Sequence, residues 1–160
     1  MKKFILFFII MAAALSVTAC SCSRSQNTVS SGNDDAAERE GGIMYIYICG
    51  NRLEAQLDDG ESARALAGLL AEGDIIYTAD DYGNFEKVGD IGRTLPRNDE
   101  YISVSAGDVI LYQGCNICLY YGTNSWSFTR IAKIVGYSAA ELRGLLGAGL
   151  GSVQVRLSLN

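Results

Sequence analysis

The stretch GDVILYQGCNICLYYGTNSWSFTRIAK, residues 107–133, constrains the fold more than any other part of the chain. Residues 109–112 and 117–121 are runs of aliphatic and aromatic side chains on either side of Gly114-Cys115-Asn116. Two such runs around a glycine turn predict a hairpin of buried strands. A second turn reads at Gly122-Thr123-Asn124-Ser125, followed by Trp126 (the only tryptophan), Phe128, Thr129 and Arg130, and then by residues 131–135. Polar, aromatic and cationic groups thus gather beyond an apolar hairpin.

The first residues carry a different message. Met1-Lys2-Lys3 is a cationic start and residues 4–15 are an unbroken apolar run. Twelve residues are too short to span a bilayer core, but they suit the apolar region of a signal peptide. Val17-Thr18-Ala19-Cys20 resembles the lipobox of bacterial lipoproteins, which implies that residues 1–19 are removed and Cys20 is acylated. Each buried methylene adds about 0.8 kcal/mol of membrane affinity, so two acyl chains anchor a protein firmly. The expected location is therefore the bacterial cell envelope, with the membrane as a partner through the lipid. The other reading is a plain secretory signal with a chance cysteine.

Removing residues 1–19 takes two lysines and no acid, so the net charge moves from −5 to −7. An acidic chain is a poor match for nucleic acid or anionic lipid surfaces, which select clustered Lys and Arg. There is no histidine, which excludes His-activated nucleophiles and His-containing zinc sites. No catalytic group, metal site or cofactor is expected.

Residues 20–42 are Ser, Asn, Asp, Glu and Gly with scarcely an apolar side chain, a composition that cannot offset its ordering entropy. They read as a disordered tether reaching about 25 Å on root-mean-square average. The folded domain is expected over residues 43–160. Strands are predicted at residues 43–49, 53–57, 75–79, 85–88, 101–105 and 153–159, besides the central hairpin. Ala63, Leu66, Ala67 and Leu70 share one helical face. Ser138-Ala139-Ala140-Glu141 is a capping-box pattern that opens a second short helix. Residues 89–99, with the only proline at Pro96, read as an ordered loop over one mouth. Residues 80–84 read as a polar turn.

Several residues jointly suggest a family. The run from Gly107 through Asn124-Ser125-Trp126-Ser127-Phe128-Thr129-Arg130 resembles the small bacterial cyclophilin-like domain proteins. Phe85-Glu86-Lys87-Val88-Gly89 with Leu95-Pro96, and the helix-glycine-strand ending, are similar to that family as well. The resemblance implies a mainly β fold, a closed cyclophilin-like β-barrel of about eight strands with two short helices. True cyclophilins are prolyl isomerases with an essential arginine in a Phe-x-Arg segment. In chain order its counterpart is Phe85-Glu86-Lys87, and lysine lacks the planar fork of arginine. The cyclophilin histidine and its Gln-Gly-Gly run are missing. Phe128-Thr129-Arg130 repeats the spelling, but after the hairpin.

The candidate ligand-binding residues are Glu86, Lys87, Tyr112, Asn124, Trp126 and Arg130, with aromatic faces for contact and polar groups for orientation. Against this, Trp126 plugs a barrel end. Tyr120 and Tyr121 point to opposite faces of one strand, so at most one meets a groove. Cys115 and Cys118 form a C-x-x-C, two ligands short of a zinc site. They read as small buried residues, with a disulfide to Cys49 left open. Gly147, Gly149 and Gly151 imitate a dinucleotide fingerprint but follow a helix instead of opening one. The expected function is a binding or accessory module for a small molecule or an extended peptide, with a weak prolyl isomerase as the alternative.

Overall fold

A computed structural model describes residues 42–160 of the chain. The expected signal peptide, the expected acylation site at Cys20 and the expected tether, up to residue 41, lie outside the described residues.

Nine antiparallel strands and two helices follow in the order β1 (Ile43–Ile48), β2 (Asn51–Leu57), α1 (Glu61–Glu72), β3 (Ile75–Tyr82), β4 (Glu86–Asp90), β5 (Glu100–Val104), β6 (Asp108–Tyr112), β7 (Asn116–Tyr120), β8 (Asn124–Ile134), α2 (Ala139–Leu145) and β9 (Val153–Ser158). Their spatial order is β2-β1-β9-β3-β4-β7-β6-β8-β5, and β8 also pairs with β2. That pairing sets Ala55 opposite Ile134 and Leu57 opposite Ala132. Eight strands therefore form a closed ring, and β5 lies outside it on the first half of β8. Closure leaves no open edge among the eight. The mainly β expectation, with about eight strands and two helices, holds.

Turn chemistry sets the hairpins. Cys49 and Gly50 both take positive φ between Ile48 and Asn51, the two-residue turn whose twist matches the strands it joins. Gln113 and Gly114 also take positive φ, in the three-residue connection between Tyr112 and Asn116.

The main core fills the ring. Met44, Ile46, Leu53, Val109, Leu111, Ile117, Leu119, Ile131, Val155 and Leu157 meet there, with Leu66 and Leu70 of α1, Leu142 of α2 and Leu146 just after it. The capping box at Ser138 is present, with the Glu141 carboxylate accepting from the Ser138 backbone N–H at 2.8 Å. Of the loop expected over residues 89–99, Gly89 and Asp90 belong to β4 because they pair with Ile117 and Asn116, and residues 91–99 form the loop. Leu95 N–H donates to Gly114 O at 2.8 Å, Ile91 N–H to Cys115 O at 3.0 Å, and Ser62 Oγ to Pro96 O at 2.6 Å.

Two predicted turns are strands instead. Asp80, Asp81 and Tyr82 extend β3, because they pair with Val88, Lys87 and Glu86 of β4. Asn124 and Ser125 open β8, because β5 lies alongside and the Ser103 and Ser125 hydroxyls meet at 2.9 Å. In both places a polar composition imitates a turn, while a partner strand supplies the ladder. Among the described residues no helix is long and apolar enough to cross a membrane.

Candidate functional site

Successive side chains of a strand alternate between faces. On β7, Ile117 and Leu119 enter the ring core while Cys118 and Tyr120 enter a second apolar cluster on the opposite face. On β6, Val109 and Leu111 are separated from Ile110 in the same way. This second cluster is Val104, Ile110, Cys118, Tyr120 and Phe128, with Phe85, Val88, Ile102 and Tyr112 packed on it. Its anchor is Tyr120, fully buried. Tyr120 stacks on Phe85 with ring centres 6.0 Å apart and planes 10° apart, and meets Phe128 edge-on at 6.1 Å.

Over this cluster lies a cavity of about 400 Å³ lined by Tyr82, Glu86, Val88, Tyr112, Asn116, Cys118, Tyr120, Asn124, Trp126 and Phe128. That is within the size range of small-ligand pockets, and the mix of aromatic walls with a few polar groups is typical of them. Trp126 is 59% exposed and Tyr82 63% exposed, so both present ring surface to solvent at the rim. Among the lining residues there is one carboxyl, two carboxamides and no Lys or Arg.

The carboxyl is Glu86. It is only 6% exposed and stands directly across from Tyr120 on β7. Burial pushes its pKa up, since a charge in a low-dielectric site is disfavoured. Hydrogen bonds from the Tyr120 hydroxyl and the Cys118 thiol offset this in part. Its Oε2 has no hydrogen-bond partner. Burial also drives the pKa of Tyr120 and Cys118 upward, with Glu86 adding to both shifts, so both stay protonated donors at neutral pH. Asn124 Nδ2 donates to the Tyr120 oxygen at 3.4 Å, which leaves the phenolic proton for Glu86.

The sign of the stability effect follows. Folding favours the protonated form of Glu86, so the ionised form costs stability as pH rises above its ordinary value of 4.5. Glu86→Gln removes that charge. The variant is expected to be more stable than the parent at pH 8, because the carboxamide avoids the cost of burying an ionised carboxylate. The gain should vanish near pH 4. Thermal melts of both proteins from pH 4 to 8 check it, and a constant difference would refute the assignment.

Four of the six sequence-derived candidates, Glu86, Tyr112, Asn124 and Trp126, line one cavity. Lys87 does not join them. It follows Glu86 and so faces the other way, fully buried, with Nζ 2.9 Å from Asp81 Oδ2 and donating to Gly151 O at 2.7 Å. Arg130 lies apart as well: Asp108 holds its guanidinium at 3.6 Å, and its Nη2 donates to Ser103 O at 3.4 Å. Tyr120 meets the cavity and Tyr121 belongs to the ring core. Asp108 accepts from Ser105 N–H at 2.7 Å, a local turn bond, and also pairs with Lys133 at 3.0 Å. Cys49, Cys115 and Cys118 are all free thiols.

The sequence reading missed Tyr82, Val88, Asn116 and Cys118. Three of these follow from the alternation, two residues from Glu86 or two and four from Tyr120. Tyr82 carried no such signal, because its segment reads as a turn.

A closed antiparallel ring with two helices and an aromatic cavity on its outer face defines a cyclophilin-type domain. Residues 46–158 match the Cyclophilin-like family, and the chain belongs to it. Two solved structures share the fold. One is the hypothetical protein AF2241 from Archaeoglobus fulgidus, at TM-score 0.56 and 22% identity, over 77% of this chain and 98% of that one. The other is McbB in complex with tryptophan, at TM-score 0.52 and 17% identity, over 72% of this chain and 44% of that one. No curated protein matches this chain.

Proposed function

We propose that this chain is a ligand-binding accessory module of the bacterial envelope, held by a lipid on Cys20 and taking a small molecule or a side chain of an extended peptide into the outer cavity. The observation that carries the binding reading is the roughly 400 Å³ aromatic cavity that holds Glu86 with one oxygen unpartnered. Buried polar groups are normally paired, and a ligand supplies the missing partner.

A prolyl isomerase built on Lys87 has no support in the geometry. That ammonium is enclosed between Asp81 and Gly151. The anchor rests on the lipobox-like Val17-Thr18-Ala19-Cys20 and the apolar run before it. Cys20→Ser is expected to abolish incorporation of labelled palmitate in a bacterial host and to release the protein from the membrane fraction. Unchanged labelling would exclude lipidation at this residue.

Trp126 is the sole tryptophan and it sits on the cavity rim, so the protein carries its own reporter. Fragments that enter the cavity should shift its emission. Trp126→Ala should weaken the same fragments about tenfold by calorimetry, roughly 1.4 kcal/mol, near the top of the range for an aromatic pair. Arg130→Ala, outside the cavity, should leave them unchanged. A fragment set that binds equally to the parent and to Trp126→Ala would remove the cavity from the account.

A further inference from the structure

Granted that the cavity binds a ligand, we propose that the ligand is an organic cation: a primary or secondary ammonium on an apolar or aromatic body, with its nitrogen on the Glu86 carboxylate and its body among the rings of Tyr112, Tyr120, Trp126 and Phe128.

Three observations converge on a cation. The first is charge. Glu86 is the only carboxyl among the lining residues and no Lys or Arg stands among them, so any charge the wall takes up when a ligand binds is negative. An anion entering this space finds no cationic side chain on the wall. The nearest cation in sequence, Lys87, is turned to the opposite face and already paired with Asp81, so it does not neutralise the field.

The second is hydrogen bonding. Glu86 is 94% buried, from its 6% exposure, and its Oε2 has no partner. An oxygen in that position asks for a donor, and a charged donor makes the stronger bond. The third is the wall itself. Aromatic faces are negative at their centres and attract ammonium groups, most strongly where water is excluded. A single acid ringed by Tyr, Trp and Phe is the arrangement that favours an amine over an alcohol of the same shape.

Linkage gives the proposal a signature that shape alone does not. A cation binds the ionised carboxyl, whereas burial favours the protonated one. Binding therefore releases a proton from Glu86, and affinity rises as pH increases through its elevated pKa. A neutral ligand that merely fills the space shows neither effect.

The test uses the full-length chain and three matched probes: 2-phenylethylamine, 2-phenylethanol and 3-phenylpropanoate. Calorimetry at pH 8 should show the amine binding at least tenfold more tightly than the alcohol, with the carboxylate weakest. The amine's advantage should shrink as pH falls to 4.5. Titrations in two buffers of different ionisation enthalpy should show proton release for the amine alone. Glu86→Gln should abolish the preference, so that the amine no longer binds more tightly than the alcohol. The proposal is overturned if the alcohol or the carboxylate equals the amine, if the preference is independent of pH, or if it survives in Glu86→Gln. In those cases the cavity still binds and only its cation selectivity is lost. If none of the three probes perturbs Trp126 emission or yields heat, both this inference and the binding reading beneath it fall.

Discussion

Replacing Asp81 with alanine should destabilise the domain by about 3–5 kcal/mol, the cost of breaking a buried ion pair from one side. In a domain of this size the melting temperature should fall by more than about 10 °C. Asp81 has four tasks at one end of the ring. Its Oδ2 sits 2.9 Å from Lys87 Nζ and accepts from Gly149 N–H at 2.9 Å and Gly151 N–H at 3.0 Å, while Oδ1 accepts from the Tyr121 hydroxyl at 2.7 Å. Alanine would leave Lys87, with no exposed surface, holding a charge against a single carbonyl. It would also free the glycine segment that leads into β9.

The pH dependence has a definite sign. Burial by itself would raise the Asp81 pKa, but the bonds from Lys87, Tyr121 and Gly151 outweigh it and the pKa lies below its ordinary value of 3.8. A lowered acid stabilises the fold above its unfolded pKa and loses that contribution as pH falls through the folded one. The gap between parent and Asp81→Ala should therefore be full at pH 6 and close below pH 3.8. Denaturant melts at pH 3 and 6 measure it. A gap of less than 1 kcal/mol at pH 6 would mean that Lys87 finds another partner.

The second large effect is expected at Gly89 of β4. A Cβ built there would lie 2.1 Å from Thr78 O and 2.8 Å from the Tyr77 ring. The obstacle is backbone of the neighbouring strand, which cannot swing aside as a side chain would. Gly89→Ala should cost at least about 1–3 kcal/mol, the usual range for overpacking, with the strain spreading along β3 and β4. The informative contrast is Gly68 inside α1, where a Cβ meets nothing within 4 Å. Gly68→Ala should stabilise the protein by about 0.5–1 kcal/mol through helix propensity. Equal melting temperatures for the two variants would contradict the close approach of β3 and β4.

The contrast between these residues shows what could be read from the chain and what could not. The hairpin of residues 109–120, the face of α1 and the Ser138 capping box each depend on neighbours a few positions away, and all three were readable. Asp81 was not. Its segment is polar and contains Gly83, so it looks like a turn, and the lysine that makes it a strand is recognisable only once β3 and β4 are paired. Asn124 and Ser125 misled for the same reason, with β5 as the missing partner.

The candidate site divides along the same line. Period-two alternation already separates Glu86 from Lys87, but not which of the two faces the closed interior. The answer is counterintuitive: the lysine goes inside, because Asp81 and Gly151 are there to receive it. Arg130 follows Phe128 by two positions and alternation alone would send it to the cavity. Asp108 holds its guanidinium elsewhere, next to a register shift between Val109 and Ile110.

One consequence of β8 extends beyond any single residue. Its last residues, Ala132 to Ile134, fasten the ring to β2, while its first five, Asn124 to Phe128, lie on β5 and supply one wall of the cavity. Ring closure and the cavity wall thus lie on separate halves of one strand, with different neighbours. Under the proposed binding function, substitutions in the half beside the cavity would alter what it accepts while the β2 pairing that closes the ring stays in place.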